Sequence, residues 1–305
     1  MLGTAGRASI RTVRAEDFAT AVTAWYAEAG RDLPWRAPTT TPWGVLVSEV
    51  MLQQTPVARV VPSYLAWMTR WPAPSAMAEA SPGEAIRQWG RLGYPRRALR
   101  LHEAAVTITT QHSGQVPSSH GALMALPGVG PYTAAAVATF AFGERHPVID
   151  TNVRRVLARF ADGRAASGSS LTARETRAAE SWVPADPARA SRYAVAVMEL
   201  GALVCTARAP RCDACPVRAG CAWWAAGRPS AAAPRPAAPR PGYRGTDRQA
   251  RGRLLEVLRD APGAVPAGQL AAGWPITAQR ERALAGLLAD GLAVRTRRGY
   301  ALPGG

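Results

Sequence analysis

Apolar residues recur at three- and four-residue spacings through most of the chain, the period of a helix that buries one stripe and leaves the rest in water. The pattern predicts helices over 15–30, 43–53, 56–70, 82–90, 96–111, 118–126, 131–142, 151–161, 171–181 and 188–204, divided from one another by Pro and Gly. Residues 1–226 therefore read as one long, overwhelmingly helical unit. Residues 227–245, GRPSAAAPRPAAPRPGYRG, carry neither a helical nor a strand period and read as a semi-extended linker. Beyond it, helices are predicted over 247–259, 266–272 and 277–290. The closing LAVRTRRGYALP, with its RRG centre between alternating apolar residues, predicts a β-hairpin.

Within VLVSEVMLQQT, residues 45–55, the pattern is broken by one residue. Glu49 sits among Val45, Leu46, Val47, Val50, Met51 and Leu52 with no basic residue beside it. Burial there disfavours the charged form, so the expectation is a carboxyl whose pKa is raised far enough to hold a proton near neutrality. The competing reading is an ion pair with an Arg inside the fold. A second anomalous carboxylate, Asp150, follows Val148 and Ile149 in HPVIDTNVRRVLARF and precedes an amphipathic helix. Capping alone would explain it, since Asp at this position accepts from the amides of Asn152 or Val153. A cap also fixes the carboxylate and favours its anionic form at the positive end of the helix. One acid able to carry a proton and one fixed anion suit glycosidic bond cleavage through an oxocarbenium-like transition state.

Charge narrows the partner. The 305 residues carry a formal net charge of +16, with a sequence pI near 11.1. Such a balance favours polyanions, because an Arg held against a phosphate releases condensed counterions. All 37 basic residues are Arg; the absence of Lys removes any lysine Schiff base from the possible chemistry. Hydrophobic residues make up 48% of the chain, enough for a core, yet no apolar run is long enough to span a membrane. The N-terminal MLGTAGRASIRTVRAEDF lacks the apolar segment of a signal peptide, so a cytoplasmic, nucleoid-associated protein is expected.

In ALPGVGPYTAAAVATFAFG, residues 125–143, a helix meets PGVG and a second begins at Pro131, a residue suited to a first helical turn. This helix-hairpin-helix would let the amides of Gly128, Val129 and Gly130 point outward together and hold a phosphate. A tight αα turn with no ligand fits the bare pattern equally well. The four cysteines, Cys205, Cys212, Cys215 and Cys221, cluster as C-x6-C-x2-C-x5-C. In a cytosolic chain that argues for metal rather than disulfides, and the spacing leaves zinc and iron–sulfur both open.

Taken together, LPWR at 33–36, SEVMLQQT at 48–55, LGY at 92–94, LPGVGPYTAAAV at 126–137, VIDTNVRRVLAR at 148–159, ELGALVC at 199–205 and the cysteine array resemble an adenine DNA glycosylase of the helix-hairpin-helix, Gly/Pro…Asp superfamily, which also contains endonuclease III and thymine mismatch glycosylases. The resemblance runs over residues 18–226. It implies an all-α, two-lobed fold: a six-helix barrel lobe at 38–145, and a cluster lobe from 18–37 and 146–226 with the DNA between them. It assigns the cysteines to a [4Fe-4S] cluster. It implies that Glu49 protonates the departing adenine, that Asp150 stabilises the sugar cation, and that Tyr132 and Asn152 assist. Trp35 and Arg36 match the segment lining the flipped base; Leu52, Gln53, Gln54 and Thr55 match the loop that meets the opposite base. The partner implied is double-stranded DNA with adenine opposite 8-oxoguanine or guanine, bound by a monomer. Tyr132 stands where bifunctional relatives carry Lys, so monofunctional hydrolysis is expected.

Departures from the family pattern are two. Ten residues before the first cysteine, where Glu or Gln is usual, stands Val195. Residues 246–305 are too short for the usual Nudix-like domain and resemble instead a winged helix, with 277–290 in the recognition position. Its Arg251, Arg253, Arg295, Arg297 and Arg298 suggest nonspecific phosphate affinity. A thymine glycosylase acting on T opposite G, and a noncatalytic cluster-bearing DNA-binding protein, are the alternative expectations.

Overall fold

The computed structural model describes residues 14–230 and 242–304. The expected linker thus lies mostly outside the described residues, as does most of the N-terminal stretch. Ten of the first eleven helices fall on the predicted segments, and α4 was not predicted: α1 (Ala15–Ala29), α2 (Pro42–Leu52), α3 (Val57–Arg70), α4 (Pro74–Ala78), α5 (Pro82–Trp89), α6 (Arg96–Gln111), α7 (His120–Met124), α8 (Pro131–Phe142), α9 (Thr151–Phe160), α10 (Ala173–Glu180) and α11 (Pro187–Leu203). With Met77 the one large apolar side chain in PSAMA, α4 displays no period. The chain continues through short turns and α12 (Ala222–Ala225), then α13 (Asp247–Asp260), α14 (Ala267–Gly273), α15 (Thr277–Ala289) and an antiparallel hairpin of β1 (Val294–Thr296) and β2 (Gly299–Ala301). Among the described residues no helix is long and apolar enough to cross a membrane.

Local signals set the boundaries. Pro42 opens α2 behind Thr41, whose hydroxyl accepts from the Gly44 amide at 3.2 Å. Ser81 and Glu84 form a capping box on α5, as Thr172 and Glu175 do on α10. In the hairpin, Thr296 pairs with Gly299 across the turn at Arg297 and Arg298, the position the RRG centre marks.

Two compact units are distinguished. The first comprises the described residues up to 32 and from 134 to 230. Phe18 and Val22 of α1 pack with Val156 and Phe160 of α9 and Tyr193, Val197 and Leu200 of α11 in its core. The second comprises 33–133 and 242–304. Its tryptophans stack edge to face, the Trp67 ring 4.7 Å from Trp71 and 5.6 Å from Trp89.

The tail is built into the second unit. Ile86 of α5 shares a core with Leu254, Leu258, Leu270, Leu287 and Leu292, and Leu99 of α6 packs against the same cluster. The Gly83 amide donates to Pro303 O at 2.8 Å, and Arg87 donates to the carbonyls of Arg259 and Ala261. A Cβ at Gly83 would lie 2.7 Å from Pro303 O, so this approach requires glycine. Two of the tail arginines expected to meet phosphate are otherwise engaged: Arg251 pairs with Asp290, and Arg253 with Glu256. Arg295, Arg297 and Arg298 on the hairpin are exposed.

Candidate active site

In the second unit, α2 buries every residue from Trp43 to Met51, and Glu49 is 5% exposed. The helix ends at Leu52 with Gln53 as its cap, and a helix end leaves carbonyls that must find partners outside the helix. Arg97 of α6 supplies them: its Nη1 donates to Val50 O, Met51 O and Gln53 O at 2.7–2.9 Å. Its Nη2 donates to Thr55 Oγ1 at 2.9 Å and Gly93 O at 3.0 Å. Burial pushes the Arg97 guanidinium down to about 10, so it stays cationic near neutrality. Thr55 also donates to Gln53 O, and Gln53 Nε2 donates to Thr133 Oγ1 at 3.4 Å. Leu52 and Gln53 are half-buried, whereas Gln54 is exposed.

Trp35, on a single turn at Pro34–Arg36, is buried with its ring edge-on to Tyr64 at 5.3 Å; Arg36 beside it is half-buried. At the hairpin, Gly128 takes φ +77°, and a Cβ there would lie 2.6 Å from that of Arg100. The Val129 amide donates to Leu126 O at 3.1 Å, closing the turn. The Val129 amide is thus turned to Leu126 O and not outward, as the sequence suggested. Tyr132 follows on the first turn of α8, half-buried.

The first unit holds the second carboxylate. Asp150 caps α9: Oδ1 accepts from the Val153 amide and Oδ2 from Asn152 Nδ2, both at 2.7 Å. Burial pushes its pKa up, and the cap, the Asn152 amide and Arg155 pull it back only in part. The cap favours the anion, as expected, and desolvation opposes it as the larger effect. Asn152 Oδ1 in turn accepts from Arg155 Nη2 at 2.7 Å, and Arg155 also donates to Gly201 O and Cys205 O, each at 2.7 Å. A hydrogen-bonded chain thus runs from the carboxylate to the first cysteine. α11 approaches α9 closely here, since a Cβ on Gly201 would lie 2.6 Å from that of Asn152. Val195 lies half-buried on α11.

Cys205, Cys212, Cys215 and Cys221 line one cavity with Val204, Pro210, Arg159, Arg218, Trp223 and Trp224. Arg159 is 4% exposed. It donates to Ala165 O, Thr206 O and Ala207 O and lies 3.4 Å from Cys205 Sγ and 4.6 Å over the Trp223 ring. Burial pushes the Cys215 thiol up to about 11 and raises Cys221, while backbone amides of Val217, Trp223 and Trp224 pull the two back. Four soft sulfur donors, amides aimed at two of them and two guanidiniums fit an anionic metal–thiolate group. Among the described residues, no three Cys, His, Asp or Glu side chains are placed to hold a single metal ion.

Comparison with known proteins places this arrangement. The HhH-GPD superfamily of base excision DNA repair proteins matches residues 47–182. The adenine DNA glycosylase of Mycobacterium tuberculosis is 53% identical over 283 residues, 92% of each chain. This chain belongs to the adenine DNA glycosylase family. Among solved structures, a thermostable thymine-DNA glycosylase superposes with a TM-score of 0.62 at 27% identity, covering 69% of this chain and 96% of that one. Endonuclease III in a trapped covalent intermediate with DNA gives 0.59 at 20% identity, over 71% and 99%, and shares the fold.

For an adenine DNA glycosylase, the superfamily match is informative in where it stops. Glu49 and Asp150 fall inside residues 47–182, and the cysteine loop and the tail fall outside. The mycobacterial match, by its length, reaches into the tail. Arg97, Arg155, Arg159 and Gly201 were not singled out by the sequence. In a chain whose every basic residue is Arg, these three look like the other arginines; only the runs PRRALR and NVRRVLAR, with Arg on the apolar side of a helical period, could have marked them.

Proposed function

We propose that the chain removes adenine mispaired with 8-oxoguanine or guanine in double-stranded DNA by hydrolysing its N-glycosidic bond. The observation that carries this reading is Glu49, a carboxyl group buried with α2 in a chain 53% identical to an adenine DNA glycosylase. The nucleotide is flipped out of the duplex, because the bond to be broken is inaccessible in the stack. Glu49 delivers a proton to adenine N7, and the bond to C1′ breaks with its electron pair leaving on the base. Asp150, held by the Val153 amide and Asn152, offsets the positive charge that develops on the sugar. Water adds to C1′ and loses a proton, leaving an abasic site.

Trp35 and Arg36 line the space for the extruded base, Tyr132 and Asn152 assist at the sugar, and residues 52–55 meet the opposite base. Gly128 and Gly130 offer amides to a phosphate. With no Lys to form a Schiff base, the abasic strand stays intact. The four cysteines hold a [4Fe-4S] cluster, which when bound ties together the loop from residue 205 to 221. A cavity ringed by sulfurs suits a cluster better than zinc, which draws four ligands to within about 2.3 Å of one point. The tail's helices and hairpin act as a winged-helix-like module, and the protein works as a monomer on nucleoid DNA in the cytoplasm.

The test is a panel of duplexes carrying A opposite 8-oxoguanine, A opposite G, A opposite T, and T opposite G. Alkali-dependent cleavage at A in the first two is expected, with no cleavage before alkali. Release of thymine from the T opposite G duplex in preference to adenine would assign the chain to the thymine reaction instead.

A further inference from the structure

Four described non-glycine residues adopt positive φ, and two of them, Gln54 (φ 54°) and Tyr94 (φ 47°), sit on neighbouring loops tied to one side chain. Such a conformation is strained for a residue with a Cβ and persists only where the surroundings impose it. Arg97 grips both loops at the residue just before the strained one: Nη1 donates to Gln53 O and Nη2 to Gly93 O. Nη2 also reaches Thr55 Oγ1, on the far side of Gln54. The guanidinium is further set in place by Trp89, whose ring centroid is 5.0 Å away and whose Nε1 donates to the same Gly93 O, and by the Tyr94 ring at 5.5 Å. Gln54 and Tyr94 are both exposed, Tyr94 with the Arg248 guanidinium 6.0 Å from its ring centroid.

We propose that Arg97 is a positioning residue for opposite-base discrimination, a two-loop clamp that presents Gln54 and Tyr94 together to the base left unpaired when adenine is extruded. The inference rests on the reading of the chain as an adenine glycosylase. Only a planar guanidinium spans the two loops, because its terminal nitrogens donate in two directions at once; an ammonium satisfies one loop and frees the other. Binding energy gained at the opposite base is then converted into selectivity before the adenine reaction begins.

The test compares single-turnover adenine release from A opposite G and A opposite T for wild type, Arg97→Lys and Thr55→Ala. The last keeps the guanidinium and deletes one of its anchors. Melting curves for each variant show whether the fold is retained. The clamp predicts that Arg97→Lys lowers the ratio of the two rates about tenfold or more, and that Thr55→Ala lowers it by less, in the same direction. A merely structural role slows both substrates alike and leaves the ratio unchanged, which overturns the proposal. Should Arg97→Lys fail to fold, the Thr55→Ala ratio decides alone: unchanged, it overturns the clamp. Wild type that releases adenine from neither duplex instead overturns the functional reading.

Discussion

Asn152 donates from Nδ2 to Asp150 Oδ2 at 2.7 Å while its own Oδ1 accepts from Arg155. The amide therefore has one orientation, and the carboxylate it meets is fixed at both oxygens, the other being held by the Val153 amide. Because burial is the largest influence on Asp150, its pKa is raised despite these bonds. A carboxyl whose folded pKa exceeds the unfolded one contributes stability below the unfolded value, about 3.9, and loses it as pH rises through the folded value. At neutral pH the anion thus opposes folding. Asp150→Asn keeps the cap, since Asn serves as well as Asp there. It is expected to abolish base release yet melt at or above the wild-type temperature at pH 7, with the difference shrinking toward pH 4. Melting well below wild type at pH 7 would contradict this.

Gly201→Ala tests how tightly the same chain of bonds is held. The new Cβ meets Asn152 Cβ at 2.6 Å and its Cα and O at 3.0 Å, two of them backbone atoms that cannot swing aside. A loss of about 1–3 kcal/mol in stability is expected from such overpacking. Base release should slow together with it, as Asn152 leaves Asp150; wild-type melting and rate in the Gly201→Ala protein would show that α11 can retreat freely.

For the cysteine loop, the expectation is a brown protein whose visible absorbance is lost in Cys215→Ser. Arg159→Met should bleach more readily on exposure to chelator than wild type, because it unpins the carbonyls of residues 165, 206 and 207 that the guanidinium gathers. Metal analysis is the check. Stoichiometric zinc in place of iron would refute the cluster.

The tail's role separates into two measurements. Deleting residues 242–305 strips Ile86 and Leu99 of their partners, so it should destabilise the second unit as well as weaken DNA binding. Neutralising the hairpin, with Arg295, Arg297 and Arg298 each changed to Gln, touches no ion pair among the described residues and should leave melting unchanged. If all three meet phosphates, the slope of log binding constant against log salt falls by about 2–3, at roughly 0.9 per contact. An unaltered slope would assign the tail a bracing role alone.

Much of this was visible in the sequence, and the reasons differ by residue. Helix positions were legible because Pro and Gly punctuate a regular apolar period, and α4 was not because PSAMA carries one large apolar residue, Met77. Glu49 was legible as an exception to its surroundings, and it lies where that exception implies, in a helix buried on nearly every side. The balance at Asp150 was not, because a cap is a local signal and desolvation depends on what the rest of the fold brings against it. The Val129 amide was assigned outward for a similar reason: whether a turn amide is turned inward is a matter of backbone geometry rather than residue type. Arg97 was hard to single out, since all but one of its acceptors are main-chain carbonyls that any sequence would supply.

The central claim is that Glu49 carries the proton that releases adenine. The most direct measurement is single-turnover base release from A opposite 8-oxoguanine by Glu49→Gln, alongside its affinity for the same duplex. Gln preserves the shape of the side chain and cannot donate that proton, so binding close to wild type with a rate reduced at least about 100-fold is expected. Adenine release at a rate near that of wild type would contradict the account.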